Sequence, residues 1–437
     1  MILPAQAVLA QSILRDAETE ALLNDMAAPI VEASGLEPRN VDIVLINDSS
    51  VNAFVAGGQA VYINSGLINT ATSANEVQGV IAHELGHVTG GHAVLNLGAK
   101  EATGISILSL LLGAAAAAAG GGEAAMGVLM AGQQAAMGKY LAFSRVQEAT
   151  ADAAGAEYLS KAGISGKGSI DFFKKLENLE YRYGYVPREG DEYFRTHPMT
   201  GDRIATLQDT YERDPAYSKP SDPMLEARFE RAKAKLFGYL ARSDDTLRTY
   251  PEYMTGVPAR YARAYAFHKD ARIDKALAEA DALLKNDPDD PYFLELKGQI
   301  LLESGRPQEA LASLRRATEL TGNQPLIATL FGHALIATED GGNYAEAERV
   351  LKAAVARDRY NPFAWYQLGV IYAANGDLPR ARLASAEQQV MSGRMGEALQ
   401  SAAAAEAALP KGSPDWLRAQ DIAMEAKAAI ERRKKRK

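Results

Sequence analysis

Residues 73–90 read SANEVQGVIAHELGHVTG. Ser73 followed by Glu76 is a capping box, in which each side chain can satisfy an orphan amide at the start of a helix. The helix so started carries Val77, Val80, Ile81, His83, Glu84, His87 and Val88. His83 and His87 are one turn apart on one face, where both imidazoles can reach one zinc ion. Glu84 is rotated by roughly 100° from His83, beside the metal, where its carboxylate can take a proton from a zinc-bound water. The chain has 6 histidines, so two of them would fall at this spacing around an acidic residue roughly 0.01 times per chain by chance. The competing reading is a pair of incidental surface histidines.

Upstream, residues 17–33 repeat their apolar positions at helical spacing, with a kink expected at Pro29, and Val41 to Ile46 form a β-branched strand. Val51 to Val55 read as a second strand that breaks at Gly57-Gly58. Ala60 to Ile63 resume it and Asn64-Ser65-Gly66 turn the chain, giving an irregular hairpin or sheet edge. Helix and strands together make an α+β domain. Downstream, residues 102–122 carry no charge, and a second uncharged stretch follows Glu123 as far as Gly138. Its length would admit a membrane span. Its alanines and glycines, with Gln133 and Gln134, favour a buried or membrane-facing helical hairpin.

A catalytic zinc needs a third protein ligand and an open fourth position for water. Glu148 is the best candidate, in Ser144-Arg145-Val146-Gln147-Glu148-Ala149-Thr150-Ala151-Asp152, where Glu148 and Asp152 again share a helix face. Asp152 would then hold a zinc-bound imidazole by its other nitrogen. Periodicity alone also allows this pair to be a solvated face. His92, five residues after His87 and roughly 500° around the helix, points away from the metal and reads as structural.

Beyond about residue 250 a repeat appears. Gly298 and Gly332 are 34 residues apart, as are Ala347 and Ala381, which is the tetratricopeptide period. Copies begin at Pro291, Pro325 and Pro362, the second stretched by Gly341-Gly342-Asn343. A weaker copy precedes them at Ala264, Phe267 and Ala276, and another follows near Ala398. Small residues at these positions let two helices cross closely, and stacked pairs bury a shared core.

The 437 residues suggest two domains. A formal net charge of -8 argues against a general nucleic-acid binder. There is no cysteine, so any metal must sit on His, Asp or Glu. The opening MILPAQAVLAQ has small-x-small spacings and reads as the end of a signal peptide whose start lies upstream, or as a frayed cytosolic terminus. The basic run Arg432 to Lys437 reads as a solvated tail or as a contact with anionic lipid headgroups.

The H-E-L-G-H helix, the S-R-x-x-E-x-x-x-D helix after an apolar insert, and Thr196-His197-Pro198 followed by Arg203 resemble the HtpX/CAAX-prenyl-protease family of zinc metallopeptidases. With the repeats added, nearly the whole chain is similar to that family's periplasmic β-barrel assembly-enhancing subgroup. The resemblance implies an α+β gluzincin-type domain over 12–250, then an all-α tetratricopeptide-repeat solenoid over 257–430, with residues 1–11 as leader remnant and 431–437 as basic tail. It implies Zn2+ held by His83, His87 and Glu148, with His197 able to fill the fourth position. It also implies Asn52-Ala53-Phe54 as the edge that pairs with substrate, beside Glu84 as base. His197 is then either a latch, with Arg203 on the following helix as the preferred oxyanion partner for its fixed charge, or itself the stabiliser of the transition-state oxyanion. The expected activity is endoproteolysis of misfolded or stalled envelope proteins in the periplasm. The repeats would dock a protein partner of the outer-membrane assembly machinery, and contact with the membrane would be peripheral. The alternative is a chaperone or assembly scaffold in which proteolysis is secondary.

Overall fold

In the computed structural model of the chain, residues 13–56, 58–92, 130, 144–183, 197 and 201–435 are described. The leader remnant and, Met130 apart, the helical hairpin expected over 102–138 lie outside them. The chain divides into two compact units at Leu236/Phe237.

In the first unit Asp16 opens helix α1 (Ala17–Ala33), its carboxylate accepting from the Thr19 amide at 2.8 Å. The helix continues through Pro29 as one element. Strands β1 (Asp42–Ile46), β2 (Ala53–Ala56) and β3 (Ala60–Asn64) form a three-stranded sheet in the order β1-β3-β2. β2 and β3 are the antiparallel hairpin, while β1 joins β3 in parallel, Ile43 opposite Val61. Asn64-Ser65-Gly66 does not form a free turn, because Ser65 begins the short helix α2 (Ser65–Thr70) directly.

Helix α3 (Ala74–Thr89) follows, with every residue from Ala74 to His87 buried. A helix enclosed on all sides must be apolar or internally paired all round. Ser73 Oγ accepts from the Glu76 amide at 3.2 Å, but the capping box is only half reciprocal. The Glu76 carboxylate turns instead to the Thr72 amide (2.9 Å), the Thr72 hydroxyl (2.6 Å) and Lys175 Nζ (2.7 Å). Glu226 supplies the remaining cap from far along the chain, accepting from the Ala74 amide at 2.7 Å and the Asn75 amide at 3.4 Å. Three more helices follow: α4 (144–162), which meets α3 at Gly86 and Gly155, α5 (Lys167–Tyr183), which packs on α3, and α6 (Gly201–Glu212), which packs on α5.

Glu226 lies on helix α7 (Pro223–Leu240), which is bound into the first unit by charge as well. Lys233 Nζ donates to the Ala71 carbonyl at 2.5 Å, Lys235 pairs with Asp16 at 2.5 Å, and Arg231 pairs with the buried Glu18.

The second unit is all helix. Successive pairs are Val257–Lys269 with Ile273–Asn286, Pro291–Glu303 with Pro307–Leu320, Pro325–Ala337 with Tyr344–Arg357, and Pro362–Ala374 with Leu378–Met391. Met395–Ala408 then packs on Pro414–Lys435. Proline at the first helical position costs nothing, since its missing amide would be unpaired there, and it pre-sets the backbone angle. Gly298 and Gly332 sit at the closest crossings, where a Cβ would lie 2.4 Å from Leu314 and 2.6 Å from Leu351. The Gly341–Asn343 insertion forms one 3-10 turn, capped by Asp340. Arg263 is buried in this unit, donating to Glu279 at 2.6 Å and to the carbonyls of Pro251 and Met254 at 2.9 and 2.8 Å. Among the described residues no helix is long and apolar enough to cross a membrane.

Candidate metal centre

Helices α3 and α4 meet backbone to backbone. A Cβ on Gly86 would lie 2.5 Å from the Ala151 carbonyl oxygen, and one on Gly155 would lie 3.0 Å from that of Ala82. Only residues without a side chain allow this approach. It sets His83 and His87 on α3 opposite Glu148 and Asp152 on α4.

One ligand atom each from His83, His87, Glu148 and His197, all buried, lies within 4.8 Å of the others. His83 Nε2 is 3.1 Å from His87 Nε2 and 3.3 Å from His197 Nδ1. Glu148 Oε2 is 3.4 Å from His83 Nε2 and 3.2 Å from His197 Nδ1, and its Oε1 is 3.4 Å from His87 Nε2. A tetrahedron with zinc–ligand arms of about 2.0–2.1 Å has edges of about 3.3–3.4 Å. Lone pairs converging at these separations repel one another unless a cation or shared protons lie among them. The donor set and its spacing therefore fit zinc, with His197 at the fourth corner.

Burial disfavours charge on Glu148, but hydrogen bonds from His197, His83 and His87 overcome it and hold the carboxyl well below its usual range. For His83 burial again opposes charge, and the bonds to Asp152 and Glu148 prevail, pushing the metal-free imidazole up to about 10. Burial lowers His87, and it lowers His92 as well.

Glu84 is fully buried, and among the described residues neither carboxylate oxygen has a hydrogen-bond partner. His197 Nε2 stands 3.5 Å from its Oε1. An unsatisfied buried carboxylate is costly, which makes this an outlier that function can explain. Asp152 Oδ1 lies 2.9 Å from His83 Nδ1. Arg203 is engaged differently from the oxyanion contact expected of it. Its Nε and one terminal nitrogen grip Asp152 at 2.8 Å each, and the other reaches Glu148 at 3.1 Å. A guanidinium turned to two carboxylates holds them in place, and the sequence carried no sign of that fork.

His92 also departs from expectation. The helix ends at Thr89, Gly91 takes a left-handed φ of 65°, and the chain curls so that His92 Nδ1 comes within 2.8 Å of His87 Nδ1. The paired glycines 90 and 91 were the legible signal, since glycine marks helix ends. At the sheet edge Asn52 and Ala53 are buried and Phe54 stacks on Tyr62 with centroids 5.1 Å apart. Asn52 Oδ1 has no hydrogen-bond partner among the described residues, and β2 lies at the edge of the sheet.

Residues 14–211 match the pattern of peptidase family M48, and residues 261–325 and 339–390 match the tetratricopeptide repeat. The first unit carries an M48 peptidase domain. The beta-barrel assembly-enhancing protease of Escherichia coli (strain K12) is 24% identical over 401 residues, 90% of this chain and 79% of that protein. Metalloprotease LoiP of the same organism is 34% identical over 183 residues, 41% of this chain and 65% of that protein. The mitochondrial metalloendopeptidase OMA1 of Bos taurus is 26% identical over 178 residues, 40% of this chain and 33% of that protein. With the fit of its donor set, the M48 domain makes this chain a zinc-dependent metalloendopeptidase, and the repeats that follow are of a kind that binds other proteins.

Proposed function

We propose that the chain hydrolyses unfolded or misassembled envelope proteins, outer-membrane proteins among them, in the periplasm. The repeats would dock a protein partner of the outer-membrane assembly machinery. The similarity to the β-barrel assembly-enhancing protease over most of both chains supports the setting. The observation that carries the chemistry is Glu84, a buried carboxylate whose oxygens have no hydrogen-bond partner among the described residues, beside the convergent ligand set.

His83, His87 and Glu148 would hold the zinc, which when bound supplies Lewis acidity for the scissile carbonyl. Glu84 takes a proton from the attacking water and passes it to the leaving amine. Asp152 orients His83, and Arg203 holds Asp152 and Glu148. The edge strand β2 offers main-chain donors and acceptors to an extended peptide, a mode of recognition that accepts many sequences. His197 at the fourth corner would keep the resting enzyme shut until a partner or substrate draws it away. We assign catalysis to residues 12–250 and docking to 257–430, with the basic tail 431–437 as a peripheral contact.

Glu84→Gln tests the chemistry. It should keep stoichiometric zinc and lose about 10²–10⁴-fold in the cleavage of an unfolded outer-membrane protein. Cleavage at the wild-type rate would refute the role of Glu84.

A further inference from the structure

Helix α3 stops in a way that delivers one side chain to the back of a metal ligand. The His92 amide donates to the His87 carbonyl at 3.1 Å, and the Gly91 amide donates to that of Val88 at 3.0 Å. This bond pair around a left-handed glycine is the Schellman stop, which stacks the residue after the glycine over the one five positions earlier. Usually that contact is between two apolar side chains. Here it joins His92 to His87.

The stop is built for this contact. A Cβ on Gly90 would lie 2.5 Å from His92 Nε2 and 2.8 Å from its Cε1, so a larger residue there would push the ring from this position. Gly91 takes the φ of 65° that other residues rarely adopt.

We propose that His92 is the positioning residue for His87, accepting the proton of its Nδ1 so that Nε2 presents a lone pair to the zinc. The inference rests on the metal centre proposed above. Hydrogen-bond directions agree along the whole chain of contacts. His87 Nε2 faces the cluster, 3.1 Å from His83 Nε2, so its proton belongs on Nδ1, which lies 2.8 Å from His92 Nδ1. His92 must then accept there and carry its own proton on Nε2, which lies 3.4 Å from Thr150 Oγ1. Thr150 in turn donates to the carbonyls of Val146 and Gln147, at 3.0 and 2.9 Å, so its oxygen keeps a lone pair for His92. Thr150 stands on α4 close to Glu148, so His92 also links the two helices that carry the ligands. His83 has a carboxylate behind it and His87 has a neutral imidazole, two different fixings in one site.

The test is zinc affinity of the full chain, measured by competition with a chromogenic chelator, for wild type, His92→Phe and His92→Asn. Phenylalanine keeps a ring and offers no acceptor, and should weaken binding by about 10- to 100-fold. Asparagine places Oδ1 where Nδ1 was and should recover most of the loss. A phenylalanine variant within threefold of wild type overturns the proposal, and so does an asparagine variant as weak as phenylalanine. A wild type that binds no zinc overturns the metal centre itself. Should His92→Phe fail to fold, long-range ¹H–¹⁵N spectra of the histidine-labelled wild type decide. A proton on His92 Nε2 with Nδ1 bare supports the assignment, and a proton on His92 Nδ1 overturns it.

Discussion

Replacing Gly86 by alanine would add one methyl group to the most enclosed helix of the protease, and the structure fixes where it would go. The new Cβ would lie 2.5 Å from the Ala151 carbonyl oxygen and 2.8 Å from Ala151 Cα, about 0.9 Å short of the 3.4 Å at which ordinary contact begins. Its neighbour is backbone, so no side-chain rotation relieves the clash, and α4 must retreat by roughly 1 Å. Glu148 and Asp152 ride on that helix, whereas zinc–ligand distances tolerate only about 0.2 Å. In an exposed helix the same change would stabilise by up to about 1 kcal/mol, because glycine is a poor helix former. Overpacking a tight contact costs about 1–3 kcal/mol. The clash should win, lowering the melting temperature of the metal-free protein and costing at least tenfold in zinc affinity. Gly396→Ala is the control, a helical glycine of the second unit with nothing within 4 Å of its added Cβ, and should be neutral to stabilising. The assay is zinc per chain in a metal buffer, beside thermal unfolding of the apo protein. Gly86→Ala with zinc affinity within threefold of wild type and an unchanged melting temperature would refute the argument that this approach sets the ligand geometry.

Three more outcomes follow from the same coordinates. His197→Ala should retain zinc on the other three ligands and cleave unfolded protein faster than wild type, and slower turnover with zinc retained would sink the latch. In the metal-free site His83 holds a proton up to about pH 10, so zinc must displace it at neutral pH and apparent affinity should climb as pH rises toward 10. Calorimetry in buffers of different ionisation enthalpy should show about one proton released at pH 7, and no release would contradict the assignment. In the repeats, Arg263→Ala would leave Glu279 with Arg260 alone and strip the Pro251 and Met254 carbonyls of their buried donor, and should destabilise that unit by about 1–3 kcal/mol. A loss below about 1 kcal/mol in denaturant titration would show that water takes the guanidinium's place.

The parts of the site that could be read from the sequence are those whose geometry is local. His83, Glu84 and His87 are fixed relative to one another by one helix, and Glu148 and Asp152 by another, so spacing alone orders each group. The repeats were equally plain, because each stacked pair repeats its neighbour's contacts at a fixed period. What the sequence hid depends on segments distant along the chain. The parallel pairing of β1 with β3 skips over β2, and part of the cap on the helix that carries His83 and His87 comes from Glu226. Arg203 reaches Asp152 and Glu148 from a separate helix, and no period announces such a meeting. His92 is an intermediate case, misread because the helix was extended through two glycines that end it.

Helix α7 bears on how such a protease could be taken apart or passed between proteins. The segment that marks the M48 family ends at residue 211, yet Glu226 caps α3, Lys233 holds the Ala71 carbonyl, and Arg231 and Lys235 neutralise Glu18 and Asp16. A graft cut at the end of the recognisable segment would carry every candidate ligand and still leave the Ala74 and Asn75 amides without Glu226, and the buried Glu18 parted from Arg231 and Lys235. The heritable module is thus longer than its signature. Swapping of catalytic parts between relatives, in the laboratory or in descent, should succeed only at joints beyond Lys235.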